Sequence, residues 1–431
     1  MLASRFGYLK IVQLLINNNA KINTVYKNSY QITTALIQAV NNNHYQIANY
    51  LINRKANINA LNKEQENILT ISINNGTSYF EKKVKKVKLE FISILIKNKI
   101  NINQQNEDGK TPLMFAIEHG RDDIVKLLLN SGAYITIKDN NGMNAFLTLG
   151  KYIKNTDSDI RIAKLLVEYK SDINAKDNNG KTTLMYVASN GNFKLLKYLL
   201  SQHANIDMVD NQGNNILMWA MRPPYSFSKN HNEIIKSLID LDLNINQKND
   251  DNETALITLI KHNINSYRDK KILELLKILL SKGANINDKD KNGKTALTLS
   301  LRECREDVIK QLVDNGADVN ILDNNKMTSL MLASGRDCSE FIPLLIDKGV
   351  YINSQDKDGN TALMWASKII KDKDSFSWRG TEMAVKKLLS YDNIDINIKN
   401  NNNKTALMLA KEYDNKDVMK ILKEFILKQK L

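Results

Sequence analysis

Oxygen-bearing side chains lie at calcium-ligand spacing in the segment 288–293. Asp288, Asp290 and Asn292 match the opening of an EF-hand loop, in which carboxylates and amides bind the ion. Such a loop requires a bidentate Glu at its twelfth position, and that position is Leu299 here. We therefore interpret the segment as an Asp/Asn turn that ends in glycine, not as a metal site.

Other groups capable of chemistry are scattered along the chain. The histidines are His44, His119, His203, His231 and His262, without metal-ligand spacing. No nucleophile, base and orienting group fall together, so we predict no catalytic residues, no metal and no cofactor. Cys304 and Cys338 are expected about 10 Å apart in adjacent helical units, which predicts free thiols and a reducing compartment.

The composition of the chain argues against a disordered, a membrane-spanning or a secreted protein. Among 431 residues, 42% are hydrophobic and 25% charged, which rules out bulk disorder. No apolar run reaches the roughly 18 residues of a spanning helix, and the first residues lack the order of a secretion signal, so we expect an intracellular protein. The net charge is +14, but the chain has 51 Lys against 10 Arg, and phosphate recognition favours the bidentate Arg fork. We therefore expect only weak, salt-sensitive binding to polyanions.

The chain repeats itself, which indicates one array rather than about three separate domains. A segment like the one that begins at Thr111 recurs with a base period of 33 residues, and five repeats carry additions. The predicted repeats are 1–33 (truncated), 34–66, 67–110, 111–143, 144–181, 182–214, 215–253, 254–294, 295–327, 328–360, 361–404 and 405–431. Each is named below by its first residue.

Each repeat has the pattern of two helices and a turn. In the Thr111 repeat, Leu113 and Ile117 lie on one face of a first helix, and Ile124 and Leu128 on one face of a second. Thr111 is placed to cap the first helix with its hydroxyl, and Asn at three other starts can do the same. A glycine after the second helix suits a left-handed terminus, and an Asp/Asn turn follows.

The 33-residue period, the TPLM and TALM starts, the IVKLLLNSGA second helix and the DNNG turns resemble the ankyrin repeat. The Asn and Lys richness is similar to that of ankyrin proteins of giant, mimivirus-like DNA viruses of amoebae. The resemblance implies an all-α ankyrin-repeat solenoid of helix-turn-helix units with finger turns, which binds proteins and has no chemistry of its own. Two departures stand out. Met replaces the His of the family's TPLH, as at Met114. The first repeat lacks its Thr-x-Leu, so either the reading frame once began earlier or the terminal repeat is frayed and lacks a proper polar cap.

Aromatic residues at the fifth position of the start motif are the candidate partner site. At 100° per residue, this position points about 200° away from the buried Leu113, towards the open side of the stack. The position holds Phe115, Tyr186, Trp219 and Trp365. Glu118, His119, Asn190 and Arg222 are expected beside them, about one helical turn on. The alternative is that each ring packs on the neighbouring finger.

The additions suggest a second, weaker site. All five are expected between the two helices of a repeat, on one edge of the array. The first is basic, and we read it as an extension of the second helix. Its lysines are Lys82, Lys83, Lys85, Lys86 and Lys88. Other additions place aromatic residues beside bases, as at Tyr225, Tyr267 and Trp378, which either tuck the loops onto the helices or form a contact edge.

These patterns favour a non-enzymatic scaffold for protein interactions. We expect the chain to be a monomer that binds a protein partner, and the sequence does not identify that partner. One alternative is a basic array that binds nucleic acid or an acidic membrane surface, which salt dependence would distinguish. Another is a ubiquitin-ligase adaptor. We disfavour it because the last repeat occupies the chain from Thr405 and leaves no room for an added helical box.

Overall fold

The computed structural model describes residues 1–75, 82–223, 229–241, 243–263, 269–336, 338–368 and 382–429. Two series of helices alternate along the chain. The first helices are Leu2–Arg5, Ala35–Asn41, Ile68–Asn74, Pro112–Glu118, Ala145–Lys151, Thr183–Asn190, Ile216–Ala220, Ala255–His262, Ala296–Arg302, Ser329–Gly335, Ala362–Ser367 and Ala406–Glu412. The second helices are Leu9–Asn17, Tyr45–Asn53, Lys82–Lys97, Asp122–Asn130, Asp157–Glu168, Phe193–Ser201, Lys229–Ile239, Asp269–Ser281, Glu306–Asp314, Ile342–Asp347, Glu382–Leu389 and Lys416–Gln429. A 3₁₀ turn, Ser339–Phe341, precedes Ile342–Asp347.

Strand is almost absent from the described residues, so the predicted all-α class is confirmed. One short antiparallel pair, Tyr26–Lys27 with Ile32–Thr33, lies in the finger of the first repeat. Within the described ranges, no helix is both long and apolar enough to cross a membrane.

The predicted capping residues begin the first helices. Thr111 has extended backbone angles, and its hydroxyl accepts a hydrogen bond from the backbone N–H of Met114. The same bond is made at each of the other predicted starts, namely Thr34, Asn67, Asn144, Thr182, Asn215, Thr254, Thr295, Thr328, Thr361 and Thr405. Because the bond satisfies an amide that the helix leaves free, it fixes where each first helix begins.

Finger turns are built on aspartate, as at Asp290, or on asparagine, as at Asn106. In the segment that resembled a calcium loop, one Asp290 carboxylate oxygen accepts the backbone N–H groups of Asn292 at 2.9 Å and Lys294 at 2.8 Å. This confirms the turn interpretation. The turn closes through Gly293, whose φ of +77° suits glycine; a Cβ there would lie 2.7 Å from the Asn324 side chain of the next finger.

Consecutive fingers are joined by backbone hydrogen bonds. The N–H of Asn140 donates to the carbonyl of Asp108 at 2.9 Å, and the N–H of Asn324 donates to the carbonyl of Asn292 at 3.0 Å. These bonds repeat from finger to finger, so the turns hold a fixed register relative to their neighbours.

The core consists of the apolar faces of both helix series. Five methionines that replace the family's His are buried in this core, namely Met114, Met185, Met218, Met331 and Met364, whereas Met408 in the last repeat is exposed. The sulfur of Met114 also accepts from the backbone N–H of Thr111 at 3.5 Å. Thioether packing therefore fills the space inside the described repeats, as the substitution predicts.

Contacts divide the chain into two compact units, residues 1–211 and residues 212–431. In the N-terminal unit, the first helix of repeat one is only four residues long, and Met1 makes no side-chain cap. The neighbouring apolar side chains Leu2 and Phe6 are exposed.

The expectation of free thiols is wrong. Cys304 and Cys338 form a disulfide with a Cα–Cα distance of 5.4 Å. The error came from using the spacing of packed helices, whereas Cys304 lies in a tight turn with a φ of +50° that brings it close to the next repeat. The disulfide also removes the cysteine argument for a reducing compartment.

Candidate partner-binding site

The four fifth-position aromatic residues lie on first helices, and each ring is half-buried. Phe115 and Tyr186 belong to the N-terminal unit, and Trp219 and Trp365 to the C-terminal unit. In each unit, we call the surface formed by first helices and finger turns the finger-side face of that unit. Because each ring keeps part of its surface in solvent, it can contact another molecule and still be held by its own repeat.

Tyr186 is held by the finger that precedes it. Its hydroxyl donates to one oxygen of the Asp177 carboxylate at 2.7 Å. The other oxygen of that carboxylate accepts the backbone N–H groups of Asn179 and Lys181 in the finger turn. Burial, and then the Asp177 carboxylate, raise the pKa of Tyr186. The ring also packs against a small cluster that includes Met143 and Leu147.

Trp365 repeats this arrangement in the C-terminal unit. Its Nε1 donates to one oxygen of Asp356 at 2.8 Å, and the other oxygen accepts turn amides, including that of Asn360 at 2.7 Å. One aspartate therefore folds the finger and anchors the ring at the same time. The alternative that rings pack on fingers thus describes Tyr186 and Trp365, although both rings remain partly exposed.

A cation lies over each of the four rings. Lys110 is 5.4 Å from the Phe115 ring centre, Lys181 is 5.6 Å from that of Tyr186, and Arg222 is 5.7 Å from that of Trp219. Lys368 is 4.5 Å from the Trp365 ring centre. These distances are within cation–π range, so the finger-side face pairs aromatic surface with positive charge.

The predicted neighbours of the rings bind other repeats. Glu118 accepts from Lys110 at 2.9 Å, and His119 Nε2 lies 3.2 Å from the Asn74 side-chain oxygen in the preceding repeat. Burial lowers the pKa of His119. The Asn190 side chain donates to the carbonyl of Gly150 at 3.1 Å, again in the preceding repeat. The polar atoms of these residues therefore already stabilise the stacking of the repeats.

Arg222 belongs to a cationic cluster around Glu253. Its Nη2 lies 3.1 Å from the Glu253 carboxylate, which also accepts from Lys261 and lies 3.8 Å from His262. Burial alone would raise the pKa of Glu253, but the neighbouring His262, Lys261 and Arg222 lower it to about 2. One buried carboxylate thus holds several bases beside Trp219.

The basic edge differs from the prediction at one position. The helix Lys82–Lys97 contains all five lysines, which confirms the basic extension of the second helix. Lys88, however, is buried, and its ammonium donates to the carbonyls of Ile73, at 2.9 Å, and Asn75. It caps the preceding first helix instead of facing solvent. The side chains of Lys82, Lys83, Lys85 and Lys86 lie outside the described residues, as do Tyr225, Tyr267 and Trp378.

Sequence reasoning missed the partners of the rings. Asp177 and Asp356 precede their rings by nine residues, and Lys110 and Lys181 each precede theirs by five. This constant spacing is the signal that could have found them, since a finger ends one residue before each first-helix cap.

Short pairs of helices, joined by fingers that contact one another, are the architecture of a helical repeat protein. Among the described residues, no cluster of side chains could hold a metal ion. The chain belongs to the ankyrin repeat family. The family model for ankyrin repeats (3 copies) matches residues 1–85, 82–139, 152–227, 225–323 and 303–374.

Similar proteins come from viruses and from fungi. An ankyrin repeat protein of Acanthamoeba polyphaga mimivirus is 25% identical over 202 residues, which are 46% of this chain and 24% of the relative. One from fowlpox virus is 33% identical over 106 residues, 25% of this chain and 17% of the relative. One from Schizosaccharomyces pombe is 32% identical over 98 residues, 22% of this chain and 44% of the relative. Each match spans less than half of the relative's length.

Proposed function

We propose that this chain is a non-enzymatic scaffold that binds a protein partner through the finger-side face of each unit, with Phe115 and Tyr186 as anchors in the N-terminal unit and Trp219 and Trp365 as anchors in the C-terminal unit. The supporting observation is that each ring is partly exposed and accompanied by a cation, and that Tyr186 and Trp365 are also hydrogen-bonded to finger aspartates. Rigid aromatic residues and bases lose little entropy when a partner covers them, which makes them frequent centres of binding energy.

The setting we propose is inside a cell, and the partner is a host protein if the chain is viral. Similarity to ankyrin proteins of mimivirus and fowlpox virus supports the viral setting. Fluorescence microscopy of the tagged chain in infected amoebae tests the compartment, and secretion into the medium would contradict it.

The test of the binding face is affinity capture with variants. Trp219→Ala and Tyr186→Ala are each expected to weaken binding to captured proteins by about 2 kcal/mol, as at interface centres. Tyr351→Ala is the matched control, because its ring is 71% exposed and lies outside the four positions. Unchanged capture by both variants, with native circular dichroism, would contradict the proposed face.

Binding to nucleic acid or an acidic membrane is the second candidate, supported by the charge of +14. The finger-side face argues against tight binding there, since the fingers before Tyr186 and Trp365 carry a carboxylate, Asp177 and Asp356, next to the ring. Any such binding is therefore expected to be weak and salt-sensitive.

A further inference from the structure

The second helix of the first repeat has sides that differ in burial. The helix Leu9–Asn17 packs on the second helix of the next repeat, and its Val12 is buried. Ile11, Leu14 and Leu15 have the three- and four-residue spacing of neighbours on another side of this helix, and all three are exposed. The helix therefore presents an apolar stripe to solvent.

Aromatic residues continue the apolar surface where this helix begins. Phe6 and Tyr8 lie in the turn that precedes the helix, their ring centres are 6.3 Å apart, and both residues are exposed. A contiguous apolar surface of this kind marks a site of interaction. We call the exposed residues Phe6, Tyr8, Ile11, Leu14 and Leu15 the repeat-one face.

The charge around the repeat-one face has one sign. Residues 1–63 contain five lysines and two arginines but no Asp or Glu, so half of the net charge of +14 lies in this stretch. All seven bases are exposed, and Arg5 and Lys10 are next to residues of the face in the chain. The Arg5 guanidinium lies 5.7 Å from the ring centre of Phe6. A partner that complements this face is therefore both apolar and negatively charged.

Four kinds of partner differ in how well they meet these two conditions. A second copy of the chain would bring the same bases and would be repelled. A nucleic acid would meet the bases with phosphates and leave the aliphatic side chains in water. A protein interface is typically depleted in lysine, which is the commoner base here. An anionic membrane surface meets both conditions, because it attracts lysine as a point charge and receives apolar side chains at the boundary between headgroups and acyl chains.

We propose that the repeat-one face docks the chain on an anionic phospholipid membrane. Ile11, Leu14 and Leu15 enter the headgroup region, and Arg5 and Lys10 contact the negatively charged headgroups. The helix Leu9–Asn17 then lies along the membrane surface. This inference gives the acidic-membrane alternative a defined surface, and it is independent of partner binding because it uses none of the four finger-side rings.

The experiment measures co-sedimentation with vesicles of phosphatidylcholine, either alone or with about one-third phosphatidylserine. Wild type should bind the vesicles that contain phosphatidylserine, and added salt should weaken this binding. Ile11→Gln with Leu14→Gln should weaken it by about tenfold, because the stripe loses apolar surface while Gln still favours the helix. Arg5→Gln with Lys10→Gln should also weaken it by about tenfold, because each base near the surface adds to the attraction.

The matched controls make the same changes in the C-terminal unit. Met383→Gln with Met408→Gln replaces two helical side chains that are 56% and 52% exposed. Lys348→Gln with Lys420→Gln removes two exposed bases. Both controls should bind vesicles as wild type does, and circular dichroism checks that every variant keeps its helices.

A fluorescent label reports which residue meets the membrane. An environment-sensitive fluorophore attached to Leu14→Cys should shift its emission to the blue on vesicles with phosphatidylserine, whereas the same label on Met383→Cys should not. The label reaches only the introduced thiol, because Cys304 and Cys338 are bonded to each other.

Failure of wild type to bind vesicles with phosphatidylserine, or equal binding by wild type and the Ile11, Leu14 variant, overturns the proposal. Light scattering that shows self-association, abolished in the same variant, with no vesicle binding would instead make the face a contact between copies. Tyr186→Ala and Trp219→Ala should leave vesicle binding unchanged. A failure here therefore does not bear on the finger-side test, and the two failures are distinguishable.

Discussion

At the scale of residues, the aspartate that folds a finger also fixes a ring. Tyr186→Phe keeps the ring and removes the donor to Asp177. Because a hydrogen bond to a charged acceptor contributes about 1.5 to 3 kcal/mol, we expect the free energy of unfolding to fall by that amount in chemical denaturation. Tyr134→Phe, at a ring that is 63% exposed, should leave stability unchanged. Equal stability of Tyr186→Phe and wild type would show that the bond contributes nothing.

Lys88 gives a residue-scale prediction about pH. Its burial, and then the charge of Arg121, lower its pKa from 10.5 to about 8. Between these values the unfolded chain holds the proton and the folded chain has released it, so stability should rise with pH there. The rise should approach 1.4 kcal/mol per pH unit at most, by linkage.

The matched comparison for Lys88 is Lys88→Met, which keeps the stem of the side chain without its ammonium. Denaturation curves at several pH values should show the difference between wild type and Lys88→Met growing in favour of wild type as pH rises above 8. A difference that stays constant with pH would mean that Lys88 keeps an ordinary pKa.

At the scale of elements, the caps of the first helices are interchangeable between Thr and Asn. Thr111→Ala should cost about 1 kcal/mol of unfolding free energy, because the N–H of Met114 loses its acceptor. Thr111→Asn should be nearly neutral, since Asn144 and Asn215 make the same bond in their own repeats. Denaturant unfolding measures both, and equal losses for Ala and Asn would contradict a capping role.

The disulfide between Cys304 and Cys338 is expected to make the stability of the protein depend on its redox state. It closes a loop of 34 residues between adjacent repeats. Constraint of the unfolded chain should therefore stabilise the oxidised protein by about 4 kcal/mol, by loop entropy. A dithiol reductant should lower the melting temperature of wild type and leave Cys304→Ser unchanged. An identical melting temperature with and without reductant would contradict the link.

The sequence predicts a contact best when the two residues that make it are close together in the chain. The caps were predictable because Thr111 and its amide partner are three residues apart. The role of Lys88 was not, because its acceptors at Ile73 and Asn75 lie across an addition and only folding brings them together. The hydrogen bond between Trp365 and Asp356 was also missed, because a spacing of nine residues matches neither the helical nor the strand period.

At the scale of the whole molecule, the charge of +14 is carried mainly by lysine. Lysine attracts phosphate as a point charge without the geometry that selects a sequence, so polyanion binding should depend on salt more than on base order. Finger carboxylates such as those of Asp177 and Asp356 oppose polyanion binding, whereas the helix Lys82–Lys97 concentrates lysines in one element.

A variant of this helix tests whether its positive charge drives polyanion binding. The variant replaces Lys82, Lys83, Lys85 and Lys86 by Gln and keeps Lys88, because Lys88 is buried. Anisotropy with a labelled single-stranded oligonucleotide should show wild-type affinity falling steeply with salt, by about 0.7 in log affinity per log salt for each phosphate contact. The quadruple variant should have a shallower slope and weaker binding at low salt, with unchanged helical circular dichroism. A quadruple Lys→Arg variant preserves the charge and should preserve the slope. Binding that resists salt and discriminates between sequences would instead favour a nucleic-acid partner, because only contacts to bases persist when counterions compete for the phosphates.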